Sequence, residues 1–155
     1  MNGTNKTLFL ANLIRIFHWT IIAFILLAPF SNIPSLLILH ITFSSSLLIH
    51  WINNNNMCSL SIMESKLRGL DYTESLTHKF ISPLYDVSKT TWSSFCYVIT
   101  ILLACFSAYL LLNSKALKTV RECTATLRKS DIYMSASFSK KMQMYAQCLR
   151  PLFVF

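Results

Sequence analysis

The chain contains long stretches of apolar residues with almost no polar interruption. Leu13–Phe30 and Ile33–Ile52 are separated only by Ser31 and Asn32, and Trp92–Leu112 follows after a polar loop. A helix that crosses a bilayer needs about 20 apolar residues, and each of these stretches is long enough. The sequence therefore predicts an all-α integral membrane protein with three transmembrane helices, the first two of which form a hairpin.

The charged residues are few and segregated. They make up 13% of the chain, whereas a soluble domain carries about 25%. None lies between Trp19 and Met63 or between Thr90 and Asn113. Because a small soluble domain buries only about two-thirds of its surface, we expect lipid to cover these stretches. The chain then divides into a three-span domain, residues 1–112, and a basic amphipathic tail, residues 113–155.

The first two helices are predicted to pack along their length, because their connection is so short. Pro34 fits the first position of the second helix, where its missing N–H costs nothing. Small residues such as Ser44, Ser45 and Ser46 let membrane helices approach closely and can form hydrogen bonds between them.

The loop 53–91 is predicted to contain short helices that lie at the membrane interface. The segment 61–64 has the spacing of a capping box, in which a serine and a glutamate satisfy the first helical amides. Gly69 is a natural C-terminal residue for that helix. A second helical segment, beginning at Asp71 or Thr73, would be bounded by Pro83.

The tail is rich in lysine and arginine. Leu117, Val120, Thr124 and Leu127 share one helical face, which predicts that the third helix continues as a basic amphipathic stretch at a membrane surface. Residues 130–155 have no clean period and are expected to be weakly structured. The expected partner of the chain is the lipid bilayer, through its anionic headgroups. A membrane protein or a second copy of the chain is a further candidate, and no nucleic acid is expected to bind. The residues expected to bind lipid are Lys115, Lys118, Arg121, Arg128 and Lys129.

Cysteines and basic residues bear on the compartment. The five cysteines are scattered without a CxxC pair, so no disulfide framework is expected.

Lysines and arginines near a span favour the cytoplasmic side. Their numbers on the two sides are nearly equal, but those of the tail are concentrated beside the third span. We therefore predict a cytoplasmic tail.

Ionisable residues inside apolar helices are functional candidates by default. The helical rise of about 1.5 Å per residue places Arg15 and His50 near the interface, level with the loop. Arg15 is predicted to reach the interface or to pair with Glu64. His40 lies deeper, and we expect its imidazole to bond to a serine, a threonine or a carbonyl on a facing helix. A proton- or ligand-handling role for His40 is the alternative.

The histidines do not predict a bound cofactor. Bis-histidine haem needs two imidazoles at one depth, but His18 and His40 differ by about 10 Å in depth. His18 and His50 are closer to one level, but no flanking motif supports a haem between them. The ligand types of His50, Cys58, Glu64 and His78 could suit a metal, but their spacings match no standard zinc pattern. We therefore expect neither a haem nor a metal.

A longer pattern of residues supports a family resemblance. In order, it comprises His18, His40, Cys58-Ser59-Leu60-Ser61, Glu64, Leu67-Arg68, Tyr72, Phe80-Ile81 and Pro83-Leu84-Tyr85. Over about residues 18–112 it resembles a family of small bacterial integral membrane proteins known as a domain of unknown function. The family has a Cys-Pro-Leu-Thr segment, whose proline and threonine are Ser59 and Ser61 here. The resemblance implies a three-helix membrane domain and no established activity.

The sequence favours a non-enzymatic multi-pass membrane protein with an accessory or structural role, whose basic tail binds lipid or a partner. The alternative is a membrane enzyme or transporter component that uses the intramembrane histidines and the loop. The candidate functional residues for that alternative are His18, His40, Cys58, Glu64, Arg68 and Tyr85.

Overall fold

The computed structural model describes residues 2–55, 57–70 and 89–153, and within them all regular structure is helical. The α-helices are α1 Asn2–Leu27, α2 Pro34–Asn53, α3 Ser59–Arg68, α4 Lys89–Asn113, α5 Lys115–Lys129, α6 Asp131–Ser135 and α7 Phe138–Leu149. Short 3₁₀ turns at Ala28–Ser31 and Arg150–Leu152 follow α1 and α7.

Three helices are long and apolar enough to cross a membrane. The candidate spans are Lys6–Ser31, which includes the 3₁₀ turn after α1, Pro34–Asn53 of α2 and Ser94–Asn113 of α4. Within the most apolar 18 residues of each of these segments, only 17%, 17% and 11%, in chain order, are buried inside the protein. The remaining apolar surface is not covered by the described part of the protein, and exposure of such a surface to lipid is typical of an integral membrane protein.

The turn between α1 and α2 forms as the sequence predicts. Pro29 lies in the 3₁₀ turn, and Asn32 follows it in the left-handed conformation with φ of 54°. Asparagine tolerates that conformation better than most residues. Pro34 occupies the first turn of α2, where its fixed φ suits a helix start.

The expected packing of α1 along α2 is wrong. Beyond the turn, α2 packs mainly against α4, and α1 packs mainly against α3. Leu37, His40 and Ser44 form the buried stripe of α2, and Ser107 of α4 is buried opposite them. Small serine side chains allow two helices to approach closely in lipid, so α2 finds its best surface on α4.

The helix that follows α2 starts earlier than predicted. α3 begins at Ser59, after Cys58, whose carbonyl accepts a hydrogen bond from Ile62 N–H at 3.1 Å. Ser61 lies inside this helix and the Glu64 carboxylate binds arginines, so the capping box is wrong. Gly69, with φ of 65°, ends α3 as predicted. The second predicted loop segment and Tyr85 lie outside the described residues.

The tail folds as a small helical unit, which corrects two predictions. The third apolar helix does not run on, because the Ser114 hydroxyl accepts a hydrogen bond from Leu117 N–H and starts α5 as a new helix. The predicted weakly structured segment instead contains the helices Asp131–Ser135 and Phe138–Leu149 and the 3₁₀ turn Arg150–Leu152. α7 and the turn after it pack on α5, so that Val120 and Leu152 are buried.

A disulfide bond joins α5 to α7 through Cys123 and Cys148, whose Cα atoms are 5.6 Å apart. The expectation that the cysteines form no disulfide is therefore wrong for this pair. The reason is geometric: two scattered cysteines become neighbours once the tail folds back on itself. In the described part of the chain, Cys58, Cys96 and Cys105 remain free thiols.

Candidate functional site

Two polar clusters lie against the apolar helices. One surrounds His40 between α1, α2 and α4, and the other lies between α1 and α3. The first is fully buried, whereas the second is partly open.

The imidazole of His40 is held by partners from three helices. Nε2 lies 3.1 Å from the carbonyl oxygen of Ile25 on α1 and 3.3 Å from Ser44 Oγ, and Nδ1 lies 2.9 Å from Ser107 Oγ on α4. This confirms the expectation that His40 bonds to a carbonyl and a serine on facing helices. Both ring nitrogens of His40 therefore have hydrogen-bond partners.

The proline four residues after Ile25 indicates which ring nitrogen of His40 carries the proton. A helical carbonyl normally accepts from the amide four residues later, but for Ile25 that residue is Pro29, which has no N–H. A buried carbonyl needs a donor, so His40 Nε2 carries the proton and donates it to Ile25. Nδ1 then accepts from the Ser107 hydroxyl.

The second cluster joins α1 to α3 through charged side chains. Arg15 Nε donates to Glu64 Oε1 at 2.8 Å, and Arg68 Nε donates to the same oxygen at 3.0 Å. Arg68 Nη2 donates to Asn12 Oδ1 at 2.6 Å. The predicted pairing of Arg15 with Glu64 is thus confirmed.

The charges of this cluster do not cancel. Glu64 is buried, and its one negative charge faces two guanidinium groups. Arg15 Nη2 is buried without a hydrogen-bond partner in the described part of the chain. Counted over the described residues, the α1–α3 junction therefore carries a net positive charge.

A thiol and an imidazole meet at the same junction. Cys58 Sγ lies 3.6 Å from His18 Nε2. Burial raises the pKa of the Cys58 thiol, but the hydrogen bond and charge of His18, with the backbone amides of Ser61 and Leu60, outweigh it. The thiol pKa therefore lies below its usual range, which favours the nucleophilic thiolate.

His50 takes part in local structure instead. Its Nε2 lies 3.1 Å from Ser59 Oγ, which also accepts from Asn54 Nδ2 at 3.1 Å. These contacts connect the end of α2 to the start of α3. Across residues 2–55, 57–70 and 89–153, no three His, Cys, Asp or Glu residues form a metal-binding group.

The structure thus brings together four of the candidate residues at the α1–α3 junction: His18, Cys58, Glu64 and Arg68. His40 belongs to the separate buried cluster. Asn12 and Ser107 were not singled out from the sequence, because an asparagine near a helix start and a serine among apolar residues are common. Arg15 was singled out as a partner of Glu64 only.

Comparison of the chain with known proteins identifies no relative. No protein family, curated protein or solved structure matches the chain. The resemblance to a bacterial membrane family of unknown function therefore stays a prediction.

Proposed function

We propose that this chain is an integral membrane protein with three transmembrane helices, whose tail binds anionic lipid headgroups where α4 ends. Its role is structural or accessory in this proposal. The exposed apolar surface of α1, α2 and α4 supports the membrane part. The single observation that carries the lipid part is a groove lined by two arginines on the tail.

The groove lies between α5 and α7. Its volume is about 370 Å³, and its lining consists of Arg121, Thr124, Ala125, Arg128 and Tyr145. Arg121 and Arg128 are exposed, and neither forms a salt bridge within the described residues. Guanidinium groups bind phosphates through paired hydrogen bonds, so two of them in one groove suit a lipid phosphate.

A second cavity lies where the hairpin turn meets the junction of α4 and α5. Its volume is about 410 Å³, and only Ser114 separates the two helices there. Polar Asn32, Asn113 and Lys115 form part of the wall, and Leu37 and Leu110 form part of the apolar remainder. A lipid bound here would place its headgroup beside Lys115 and its acyl chains against Leu37 and Leu110, which matches the polar and apolar parts of the wall. Of the predicted lipid-binding residues, Lys118 and Lys129 line neither cavity.

Apolar side chains on α7 also favour contact with a bilayer. Phe138, Met142 and Leu149 share one face of the helix and are exposed, Phe138 to 80%. An exposed apolar stripe beside basic residues is typical of helices that lie in a membrane interface. Lys140 and Lys141 lie on the same helix.

The disulfide bond argues against the cytoplasmic tail that the charges predict. Disulfides persist in oxidising compartments and are rare in the cytosol. We therefore place the tail on the oxidising side of the membrane, and the N-terminus and α3 on the cytosolic side. The nearly equal numbers of basic residues on the two sides permit this orientation. A membrane-impermeant maleimide should then label Cys58 only from the cytosolic side, and labelling only from the opposite side would refute the orientation.

The lipid proposal is tested on the full-length protein in detergent with native mass spectrometry. Phosphatidylglycerol and phosphatidylcholine are added at equal concentrations, and the retained lipids are counted. Wild type should retain phosphatidylglycerol preferentially. The double variant Arg121→Glu/Arg128→Glu should lose that preference, because the groove then repels a phosphate.

A matched control separates a groove from general charge attraction. Lys118→Glu/Lys129→Glu changes the net charge of α5 by the same amount but leaves the groove intact. It should retain most of the preference for phosphatidylglycerol. An equal loss of the phosphatidylglycerol preference in both double variants would refute the groove as the binding site. The lipid role itself would be refuted if retention stayed unchanged after charge reversal of all five predicted lipid-binding residues, Lys115, Lys118, Arg121, Arg128 and Lys129.

A further inference from the structure

The Cys58–His18 pair has the arrangement of an activated nucleophile. His18 lies on α1 and Cys58 directly precedes α3, and their reacting atoms are 3.6 Å apart. A thiol with an imidazole in hydrogen-bond reach is the usual arrangement for nucleophilic chemistry at cysteine. The lowered pKa of the Cys58 thiol agrees with this geometry. Neither residue belongs to the lipid groove of the tail.

Positive charge lies next to the pair. Arg15 precedes His18 by one helical turn on α1, and its Nη2 is unpaired within the described residues. Arg68 is the second guanidinium of the cluster around Glu64. Among the described residues of the junction, the Glu64 carboxylate faces two guanidinium groups and cannot neutralise both, so this cluster favours a co-substrate that carries phosphate.

Apolar surface begins at the same place. α2 ends at Asn53, five residues before Cys58, so the thiol lies at the level where the apolar helices end. Ile14, Ile21 and Ile22 lie on the same face of α1 as His18, within about one helical turn of it, and each is half-buried. A long hydrocarbon chain attached at Cys58 could therefore continue along α1 into the lipid.

We propose that Cys58 is an acyl-acceptor site, which takes a long-chain acyl group from a phosphate-bearing acyl thioester such as an acyl-coenzyme A. His18 takes the thiol proton, and the thiolate attacks the thioester carbonyl. A carbon–sulfur bond forms to Cys58 and the carbon–sulfur bond to the carrier breaks. The carrier leaves as a thiolate and takes the proton back from His18, so that no oxidant or reductant is needed.

The test uses full-length protein in lipid nanodiscs, where both membrane faces are accessible and the orientation does not matter. The probe is an alkyne-tagged palmitoyl-coenzyme A, and intact mass with peptide mapping reports the modified residue. We expect one acyl group per chain at Cys58, removed by neutral hydroxylamine. Cys58→Ser should abolish the modification.

The contribution of His18 is tested through the initial rate. His18→Gln should lower the acylation rate by about a hundredfold, the lower end of what a positioned base contributes. Cys105→Ser serves as the control, because Cys105 is an exposed thiol within the apolar segment Ser94–Asn113 of α4, and the rate should not change. A melting temperature for each variant shows that the fold persists.

Several outcomes would overturn the proposal. They are an unmodified wild type, modification of Cys96 or Cys105 to the same extent as Cys58, or an unchanged rate in a folded His18→Gln variant. The lipid groove would remain untouched by any of them, since it is tested with other variants and another ligand.

Discussion

His40 donates its Nε2 proton to the carbonyl of Ile25, 3.1 Å away, and so replaces the amide that Pro29 cannot supply. The hydrogen bond joins the end of α1 to the middle of α2. Ser107 then joins the same imidazole to α4 at 2.9 Å. One side chain therefore connects the three apolar helices near the hairpin turn.

Replacing His40 tests this connection. His40→Leu leaves the Ile25 carbonyl and the Ser107 hydroxyl unpaired, which should lower the free energy of unfolding by about 1–3 kcal/mol. Ser107→Ala should cost less, near the average of about 0.6 kcal/mol for hydrogen bonds between membrane helices. Unfolding in mixed micelles measures both values.

A double-mutant cycle isolates the role of Pro29. In Pro29→Ala, the new backbone N–H can pair with Ile25, so His40→Leu should cost clearly less than in wild type. An equal cost in both backgrounds would contradict the proposed tautomer and its reason.

Glu64 should be essential for holding α3 on α1. Glu64→Gln leaves Arg15 and Arg68 as uncompensated charges at a partly buried junction, and breaking such a pair costs about 3–5 kcal/mol. Faster proteolysis within Ser59–Arg68 would report the loss. Glu122→Gln on exposed α5 removes the same charge and should change stability by less than about 0.5 kcal/mol; equal proteolysis of the two variants would argue against the ion-pair cluster.

The disulfide should stabilise the tail alone. Cys123→Ser/Cys148→Ser opens a link that spans 25 residues, and loss of a native disulfide costs about 2–5 kcal/mol. Limited proteolysis should then cleave α7 rapidly while α1, α2 and α4 stay protected by detergent. Alkylation of all five cysteines in the unreduced, denatured chain would contradict the bond.

The reactivity of Cys58 should depend on pH in a defined direction. Its pKa lies below the usual thiol value, so iodoacetamide should alkylate it at neutral pH faster than an ordinary cysteine. The rate should fall as the pH decreases through that lowered pKa, because the thiol then gains its proton. His18→Gln should move the rate profile to higher pH, and an unmoved profile would exclude His18 as the cause.

Some features of the fold could be predicted because they depend on local sequence. The apolar stretches, the turn before Pro34 and the end of α3 at Gly69 each follow from residues close together in the chain. The pairing of Arg15 with Glu64 was also predictable, since helical rise alone brings both to one level. Inside a span, a polar histidine must find partners, and His40 does so.

Other features depend on which surfaces meet, and local patterns do not contain that information. The pairing of α2 with α4 rests on Ser44 and Ser107, 63 positions apart in the printed sequence. Cys123 meets Cys148 only because the tail folds back. The capping-box prediction failed because Glu64 gains more from two arginines than from an amide at the helix start.

The pairing of α2 with α4 has a consequence for how the protein is made. Synthesis runs from the N-terminus, so α1 and α2 are made before residue 107 exists. Until α4 arrives, the Nδ1 nitrogen of His40 lacks its serine and faces lipid or water. The hairpin of α1 and α2 therefore lacks one of the hydrogen bonds of His40 until α4 has been made.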